Sequence, residues 1–157
     1  MRQSAGLLLY RVNDDRIEVL LVHPGGPFWA KRDAGAWSIP KGEFGAGESA
    51  LDAARREFRE ETGRDVEGAF HALEPIRQAG GKRVHAFAVR AGFDPETLLS
   101  NTFELQWPPR SGRIALFPEV DRAAWFTLAQ ASEKLHPAQC GWLEAVAALA
   151  GLPLINT

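Results

Sequence analysis

Three glutamates, Glu57, Glu60 and Glu61, are spaced so that their carboxylates fall on one side of a single predicted helix. The helix is predicted over residues 50–62, where side chains at i, i+3 and i+4 share a face at about 100° per residue. Three like charges this close repel one another. A hard divalent cation would turn that repulsion into binding, because Mg²⁺ and Mn²⁺ take oxygen ligands. The competing interpretation is a solvated face on which neighbouring arginines neutralise the glutamates.

The segment before this helix favours the metal interpretation. Residues 24–48 hold six of the fifteen glycines and three of the ten prolines, which predicts a long structured loop. Residues 37–48 bring a backbone with few bulky side chains towards the helix start. Carbonyl groups there can complete a metal shell, while backbone amides and Lys41 can meet phosphate oxygens. A loop and a helix arranged in this way predict a divalent-metal site beside groups that can contact phosphate.

Taken together, residues 42–63 resemble the Nudix box. Gly42 is followed after five residues by Glu48, and after seven more by the run Arg56-Glu57-Phe58-Arg59-Glu60-Glu61-Thr62-Gly63. One position departs from the pattern, because Arg64 stands where the family usually has a bulky aliphatic residue. We expect Val66 to supply the missing packing.

The resemblance extends beyond the box. The segments around it, residues 23–29, 37–42 and 119–126, resemble those of a bacterial group of predicted nucleotide pyrophosphohydrolases. The run Trp37-Ser38-Ile39-Pro40-Lys41-Gly42 is also similar to that of diadenosine tetraphosphate hydrolases and decapping enzymes. The resemblance implies an α/β/α sandwich of the Nudix type with a mixed β-sheet.

The resemblance also implies a role for each matching residue. Mg²⁺, or Mn²⁺ in its place, would be held by Glu57, Glu60 and Glu61 together with the backbone carbonyl of Lys41 or Gly42. Glu48 would act through water, and Arg56 would keep the glutamates in register. A fourth carboxylate is expected from Glu119, with Glu104 as the reserve candidate. The proton of the attacking water would go to Glu57 or Glu119.

Further residues are candidates for substrate binding. Lys41 is expected to contact phosphate, with Lys31 and Arg32 of the same loop as weaker candidates. Arg110 and Arg113 flank a turn and form either a phosphate-binding hook, because arginine forks suit phosphate oxygens, or part of a surface loop. Trp29 and Trp107 either stack on a base or anchor their segments to the core, and His85 is better explained as a structural histidine.

The remaining pattern predicts the elements that must position these groups, in one domain over residues 1–157. Residues 5–12 and 17–23 form a predicted hairpin around Asn13-Asp14-Asp15. Further strands are predicted over 68–77, 82–91 and 122–127, the first two around the turn at Gly80-Gly81. Residues 92–118 are expected to be irregular. Helical segments are predicted over 128–134 and 137–150.

Composition limits the partners of the chain. The 157 residues carry a formal charge of −2, so no global basic field attracts a long nucleic acid. Cys140 is the only cysteine, which excludes an internal disulfide and favours a reducing, cytoplasmic compartment. We expect a small phosphorylated nucleotide as substrate, with no membrane or stable nucleic-acid partner. A homodimer is compatible with the sequence.

The expected function is Mg²⁺-dependent cleavage of a phosphoanhydride bond in a nucleoside diphosphate derivative. The leading candidates for the substrate are a dinucleoside polyphosphate and a nucleoside triphosphate. Two alternatives remain, namely removal of phosphate from RNA 5′ ends and a non-catalytic nucleotide sensor built on the same scaffold.

Overall fold

The computed structural model describes residues 2–151, and the chain begins with the predicted hairpin. Strands β1 (Gln3–Asn13) and β2 (Arg16–Pro24) pair antiparallel, with Asn13 opposite Arg16. The two residues between them, Asp14 and Asp15, have φ of 51° and 63°. Two positive φ values in a two-residue loop match the right-handed twist of the strands, so the hairpin closes tightly.

Within residues 2–151, the main sheet is mixed and has seven strands. Strand β6 (Arg83–Arg90) runs parallel to β1, and the order continues through β2 to β9 (Val120–Thr127) at the edge. The strand predicted over 68–77 is two short strands, β4 (His71–Ala72) and β5 (Ile76–Arg77), both paired with β6. The turn predicted at Gly80-Gly81 joins β5 to β6 through a 3-10 turn, Ala79–Gly81.

In the part of the chain that the structure describes, three helices cover the two faces of the sheet. Helix α1 (Ala50–Thr62) lies on one face, where Phe58 and Ala54 pack against Leu7 and Leu9 of β1. Helices α2 (Leu128–Lys134) and α3 (Trp142–Ala150) lie on the opposite face with Leu8 and Tyr10. Neighbouring residues of a strand point to opposite faces, so β1 contributes to both cores. The α/β/α sandwich is therefore confirmed.

The long loop contains a strand that the sequence did not predict. Strand β3 (Lys41–Phe44) pairs antiparallel with the first residues of β1, and Gly42 lies opposite Ala5. Just before β3, the chain passes between β1 and β2. Ser38 exchanges two backbone hydrogen bonds with Val22, and the Leu7 amide donates to the Pro40 carbonyl. The end of the loop is thus bound to the sheet on both sides.

The region predicted as irregular, residues 92–118, forms a second hairpin. Strands β7 (Thr102–Gln106) and β8 (Ile114–Pro118) make a separate two-stranded sheet. The expectation was wrong because only five residues on each side alternate, and much of their apolar surface is exposed, as at Ile114 and Leu116. Helix α3 also starts later than predicted, because Pro137–Gln139 forms a 3-10 turn.

Helix α1 has defined ends. Ser49 caps the first turn by accepting a hydrogen bond from the Asp52 amide at 3.1 Å. Gly63 ends the helix with φ 78°, and a β-carbon there would lie 2.7 Å from the Leu99 carbonyl oxygen. Val66 is buried in the core beside Phe58, as expected, whereas Arg64 is exposed. The substitution after the box glycine is therefore tolerated by the core.

Candidate active site

Glu57 lies over the backbone of β3. A β-carbon added to Gly42 would overlap the Glu57 carboxylate, so only glycine allows this approach. Burial raises the pKa of Glu57, although a hydrogen bond from Arg56 opposes the shift. The helix can come this close because Ala53 is fully buried against the sheet. The box glycine and the box glutamate thus form one contact.

Glu61 is the most perturbed carboxyl of the site. Its Oε1 accepts a hydrogen bond from the Lys41 amide at 3.3 Å. Burial and the charge of Glu57 raise the pKa of Glu61 to about 8, with a smaller contribution from Glu119. Burial likewise lowers the pKa of the Lys41 ammonium. Two desolvated groups, the Lys41 ammonium and the Glu61 carboxyl, therefore lie in the same region, where β3 packs against α1.

Arg56 connects the other box glutamates. Its guanidinium donates two hydrogen bonds of 2.9 Å to Glu48 in a fork, and a further one of 2.8 Å to Glu57. Glu60 receives longer bonds of 3.2 Å from the same arginine. These bonds lower the pKa of Glu48 and raise that of Arg56. Arg56 therefore orients Glu48, Glu57 and Glu60, while Glu61 is held by β3.

The atoms available as ligands at this site are oxygens, which hard cations prefer. Glu57, Glu61 and the backbone beside Gly42 offer only oxygen, and the raised carboxyl pKa values indicate negative charge that lacks compensation. Within residues 2–151, however, no group of three or more His, Cys, Asp or Glu side chains is close enough to hold a metal ion by itself. Glu57 and Glu61 both lie against β3, at Gly42 and at the Lys41 amide, whereas Glu60 bonds to Arg56.

A cavity of about 300 Å³ opens beside Glu61. Three predicted site residues share its lining with Glu61, namely Lys41, Glu119 and Trp29. Glu119 is fixed by its backbone, which donates to the Asn101 carbonyl and accepts from the Gly25 amide, both at 2.9 Å. Trp29 is 40% exposed and carries the Arg32 guanidinium over its ring. The structure brings these four residues to one place.

The other predicted residues lie outside this cavity lining. Arg110 and Arg113 are exposed at the turn of the β7–β8 hairpin, and Glu104 is exposed on β7. Trp107 contacts Phe28 edge to face at 5.6 Å. His85 packs on Phe44 and lies 2.7 Å from the Gln3 amide oxygen, as a structural histidine would. Phosphate binding by the two arginines remains a prediction.

Several residues of the site were missed in the sequence. His23 is fully buried, with Nδ1 2.8 Å from Asp121 and Nε2 2.6 Å from the Arg32 carbonyl, and it anchors the loop that carries Trp29. Gln139 is fully buried, and Gln78 and His136 line the cavity with it. These side chains come from segments far apart in the chain, so no local spacing identifies them.

A second cavity, of about 860 Å³, lies along the edge strand β9. It contains none of the box carboxylates. Four of its seven charged side chains are paired within the lining, Lys134 with Asp33 and Arg122 with Asp121. The larger cavity is therefore not where the box chemistry is located.

Comparison with known proteins agrees with this architecture. The NUDIX domain profile matches residues 1–146, and the chain belongs to the Nudix family. An Ap4A hydrolase of C. elegans, in a binary complex, is 26% identical with a TM-score of 0.64, covering 97% of this chain and all of that one. The NUDIX domain of Shewanella oneidensis NrtR, complexed with ADP ribose, superposes with a TM-score of 0.65 at 17% identity, covering 94% of this chain and 87% of that one.

A curated protein matches a part of the chain. The octanoyltransferase of Myxococcus xanthus is 33% identical over 101 residues, which are 64% of this chain and 25% of that protein. The match thus spans a quarter of the length of that relative. No helix in residues 2–151 is long and apolar enough to cross a membrane.

Proposed function

We propose that the chain hydrolyses a phosphoanhydride bond in a nucleoside diphosphate derivative. The observation that supports this most directly is the burial of Glu57 and Glu61 against β3, where Glu61 and Lys41 line a cavity that admits a small ligand. Strongly perturbed carboxyl groups in a cleft are typical of catalytic sites. A solvated charged face would leave both carboxyl groups in water with ordinary pKa values.

In this proposal Glu57, Glu60, Glu61 and the Gly42 carbonyl hold Mg²⁺, or Mn²⁺ in its place, and Glu119 adds a fourth carboxylate. A bound divalent ion neutralises phosphate charge and lowers the pKa of water. Glu57 or Glu119 accepts the proton of the attacking water.

The remaining roles follow from contacts of the chain itself. Arg56 positions Glu48, Glu57 and Glu60 through charge-assisted hydrogen bonds. Lys41 directs its ammonium to a phosphate oxygen, because its partly desolvated charge lines the cavity. Glu48 acts through water. Trp29 offers a ring face on which a base can stack.

Two substrate types lead within this class, dinucleoside polyphosphates and nucleoside triphosphates. The similarity to an Ap4A hydrolase over the whole length of both chains favours the first. The cavity of about 300 Å³ is at the small end of ligand sites, so it fits one nucleoside with the rest of the substrate extending into solvent. A long RNA gains no basic surface from a chain of net charge −2.

The substitution Glu61→Gln tests the proposal. It keeps the size of the side chain and removes its charge, so Mg²⁺-dependent kcat/KM should fall by at least about a hundredfold, since even loss of an outer-shell partner costs 10–100-fold. The assay is a product-resolved screen of nucleoside triphosphates and dinucleoside tetraphosphates with Mg²⁺ or Mn²⁺. Glu144→Gln, an exposed glutamate of α3, is the matched control.

Unchanged turnover in Glu61→Gln would rule out its role as a metal ligand. Nucleotide-dependent thermal stabilisation of the wild type without release of any product would instead indicate a sensor. Competition by short capped RNA would favour activity on RNA 5′ ends.

A further inference from the structure

Two glutamine side chains form part of the wall of the small cavity that Glu61 also lines. Gln139, in the 3-10 turn after α2, is fully buried, which is rare for a glutamine unless its amide is hydrogen-bonded. Gln78 lies in the turn between β5 and β6, where its backbone amide donates a hydrogen bond to the Lys82 carbonyl at 2.9 Å. Both residues line the cavity that Trp29 and Glu61 share.

The orientation of the Gln139 amide follows from its neighbours. The Ile39 amide lies 3.2 Å from Oε1 and can only donate, so this atom of Gln139 must be the oxygen. The Nε2 of Gln139 then donates one hydrogen to Ser38 Oγ at 3.0 Å and the other to Gln78 Oε1 at 3.1 Å. All polar atoms of Gln139 are used inside the protein.

This arrangement also fixes Gln78. Because its Oε1 accepts from Gln139, its Nε2 must be the end of the amide left for the cavity. No hydrogen-bond acceptor for that Nε2 occurs among residues 2–151. Gln78 therefore presents a donor and cannot turn its oxygen outward without leaving a Gln139 hydrogen unpaired.

His136 adds a second donor to the same wall. Its Nδ1 accepts a hydrogen bond from the Ala138 amide at 3.1 Å, so in the neutral ring the hydrogen is on Nε2. Within the described part of the chain, no group accepts a hydrogen bond from this Nε2. On this wall, Gln78 therefore offers an amide donor and His136 an imidazole donor. The hydrogen bonds described above hold no side-chain acceptor between these two donors.

We infer that this wall selects oxo-bearing bases, guanine above adenine, in a substrate whose base stacks near Trp29. Guanine carries two adjacent acceptors, O6 and N7, whereas adenine places an amino donor where O6 would be. An adenine amino group would face the Gln78 side-chain amide donor, and two donors cannot form a hydrogen bond with each other. The same rule places uracil, with its O4 acceptor, above cytosine, which has an amino group there. This inference rests on the proposed function for the position of the substrate.

Gln78→Glu is the decisive substitution. It replaces the outward donor with an acceptor at nearly the same size, so it should reverse the selection. In the wild type we expect kcat/KM for GTP to exceed that for ATP by about tenfold or more, the discrimination typical of one good bidentate base contact. In Gln78→Glu the ratio should fall below one. Gln106→Glu, on exposed β7, is the matched control and should keep the wild-type ratio.

Binding without turnover separates this inference from the proposed function. Dissociation constants for GDP and ADP are measured by calorimetry in excess chelator, on the wild type and on Gln78→Glu. Tighter binding of GDP with no hydrolysis of any nucleotide supports the base selection and refutes the hydrolase proposal. Hydrolysis with equal constants for both bases, tighter binding of ADP, or no binding of either nucleotide overturns the base selection. An unchanged ratio in Gln78→Glu also overturns it.

Discussion

The larger cavity along β9 and the smaller cavity at Glu61 differ in how their charges are compensated. In the larger one, along β9, Lys134 bonds to Asp33 and Arg122 lies 3.5 Å from Asp121. In the smaller one, Glu61 is buried next to Glu57, and its pKa is raised to about 8. Charges that neutralise each other in water need no ligand, whereas desolvated like charges gain free energy when a cation or a proton arrives. Volume alone would have selected the wrong cavity.

The largest effect is expected at the contact between β3 and α1. Gly42→Ala places a methyl group in the space of the Glu57 carboxylate, so either the carboxylate or the helix must shift. A displacement of about 1 Å in a catalytic group can cost about a hundredfold, and we expect that loss in kcat/KM. Stability should fall by about 1–3 kcal/mol, as for other overpacked contacts.

Gly45→Ala is the control for this substitution, because no atom lies within 4 Å of its added β-carbon. Activity is measured by product release with Mg²⁺, and stability by urea unfolding. Equal behaviour of the two alanine variants would show that Glu57 is not held against β3.

A smaller effect is expected for Arg56→Lys. Lysine keeps the charge but cannot reproduce the fork to Glu48 while also reaching Glu57. Because Arg56 acts by orienting carboxylates, kcat/KM should fall by about 10–100-fold and the Mg²⁺ concentration for half-maximal rate should rise. Arg59→Lys, on the same helix but half exposed, should leave both unchanged. A metal dependence identical to that of the wild type would argue against the positioning role.

The smallest effect is expected in the larger cavity. Lys134→Met removes the partner of Asp33 but touches no box residue, so kcat/KM should stay within about twofold and the melting temperature should fall by at most about 3 °C. Bonds from Lys134 and Trp37 lower the pKa of Asp33 below its usual 3.8. Stability from a lowered carboxyl pKa exists above the usual value and is lost as pH falls through the lowered one.

The difference in melting temperature between Lys134→Met and the wild type should therefore shrink below about pH 4. Scanning calorimetry between pH 3 and pH 7 measures it. A large loss of activity in this variant would contradict the assignment of chemistry to the smaller cavity.

What the sequence predicted correctly was local or followed from the family pattern. Helix α1 was predictable because Ser49, the apolar stripe and Gly63 mark its start, buried face and end within fifteen residues. The first hairpin was predictable from its turn. By contrast, β3 is defined by its pairing with β1, which lies some forty residues earlier. The sequence of this segment alone therefore predicted a loop. The β7–β8 hairpin was missed for a different reason, because its two strands are short and much of their apolar surface is exposed.

The candidate site divides in a similar way. The box residues Glu57 and Glu61 were predictable because helical spacing alone places them together. The direction in which each carboxylate is held was not predictable. Arg56 donates a hydrogen bond to Glu60, while the Lys41 amide donates to Glu61. Gln78 and Gln139 are 61 residues apart and meet only in the folded chain. No periodic pattern marks such a pair.

The passage of residues 37–40 between β1 and β2 has a consequence for how this chain can change. The position of β3 under α1 depends on main-chain hydrogen bonds from Leu7 and Val22, and on Gly6, where a β-carbon would lie 2.7 Å from that of Lys41. The Gln78 side chain bonds to Gln139 rather than to residues 37–40, so it can be exchanged without displacing the carboxylates. Selectivity can diverge while the hydrolytic geometry is inherited unchanged, and Gly6, packed against Lys41, should tolerate less variation than Trp29.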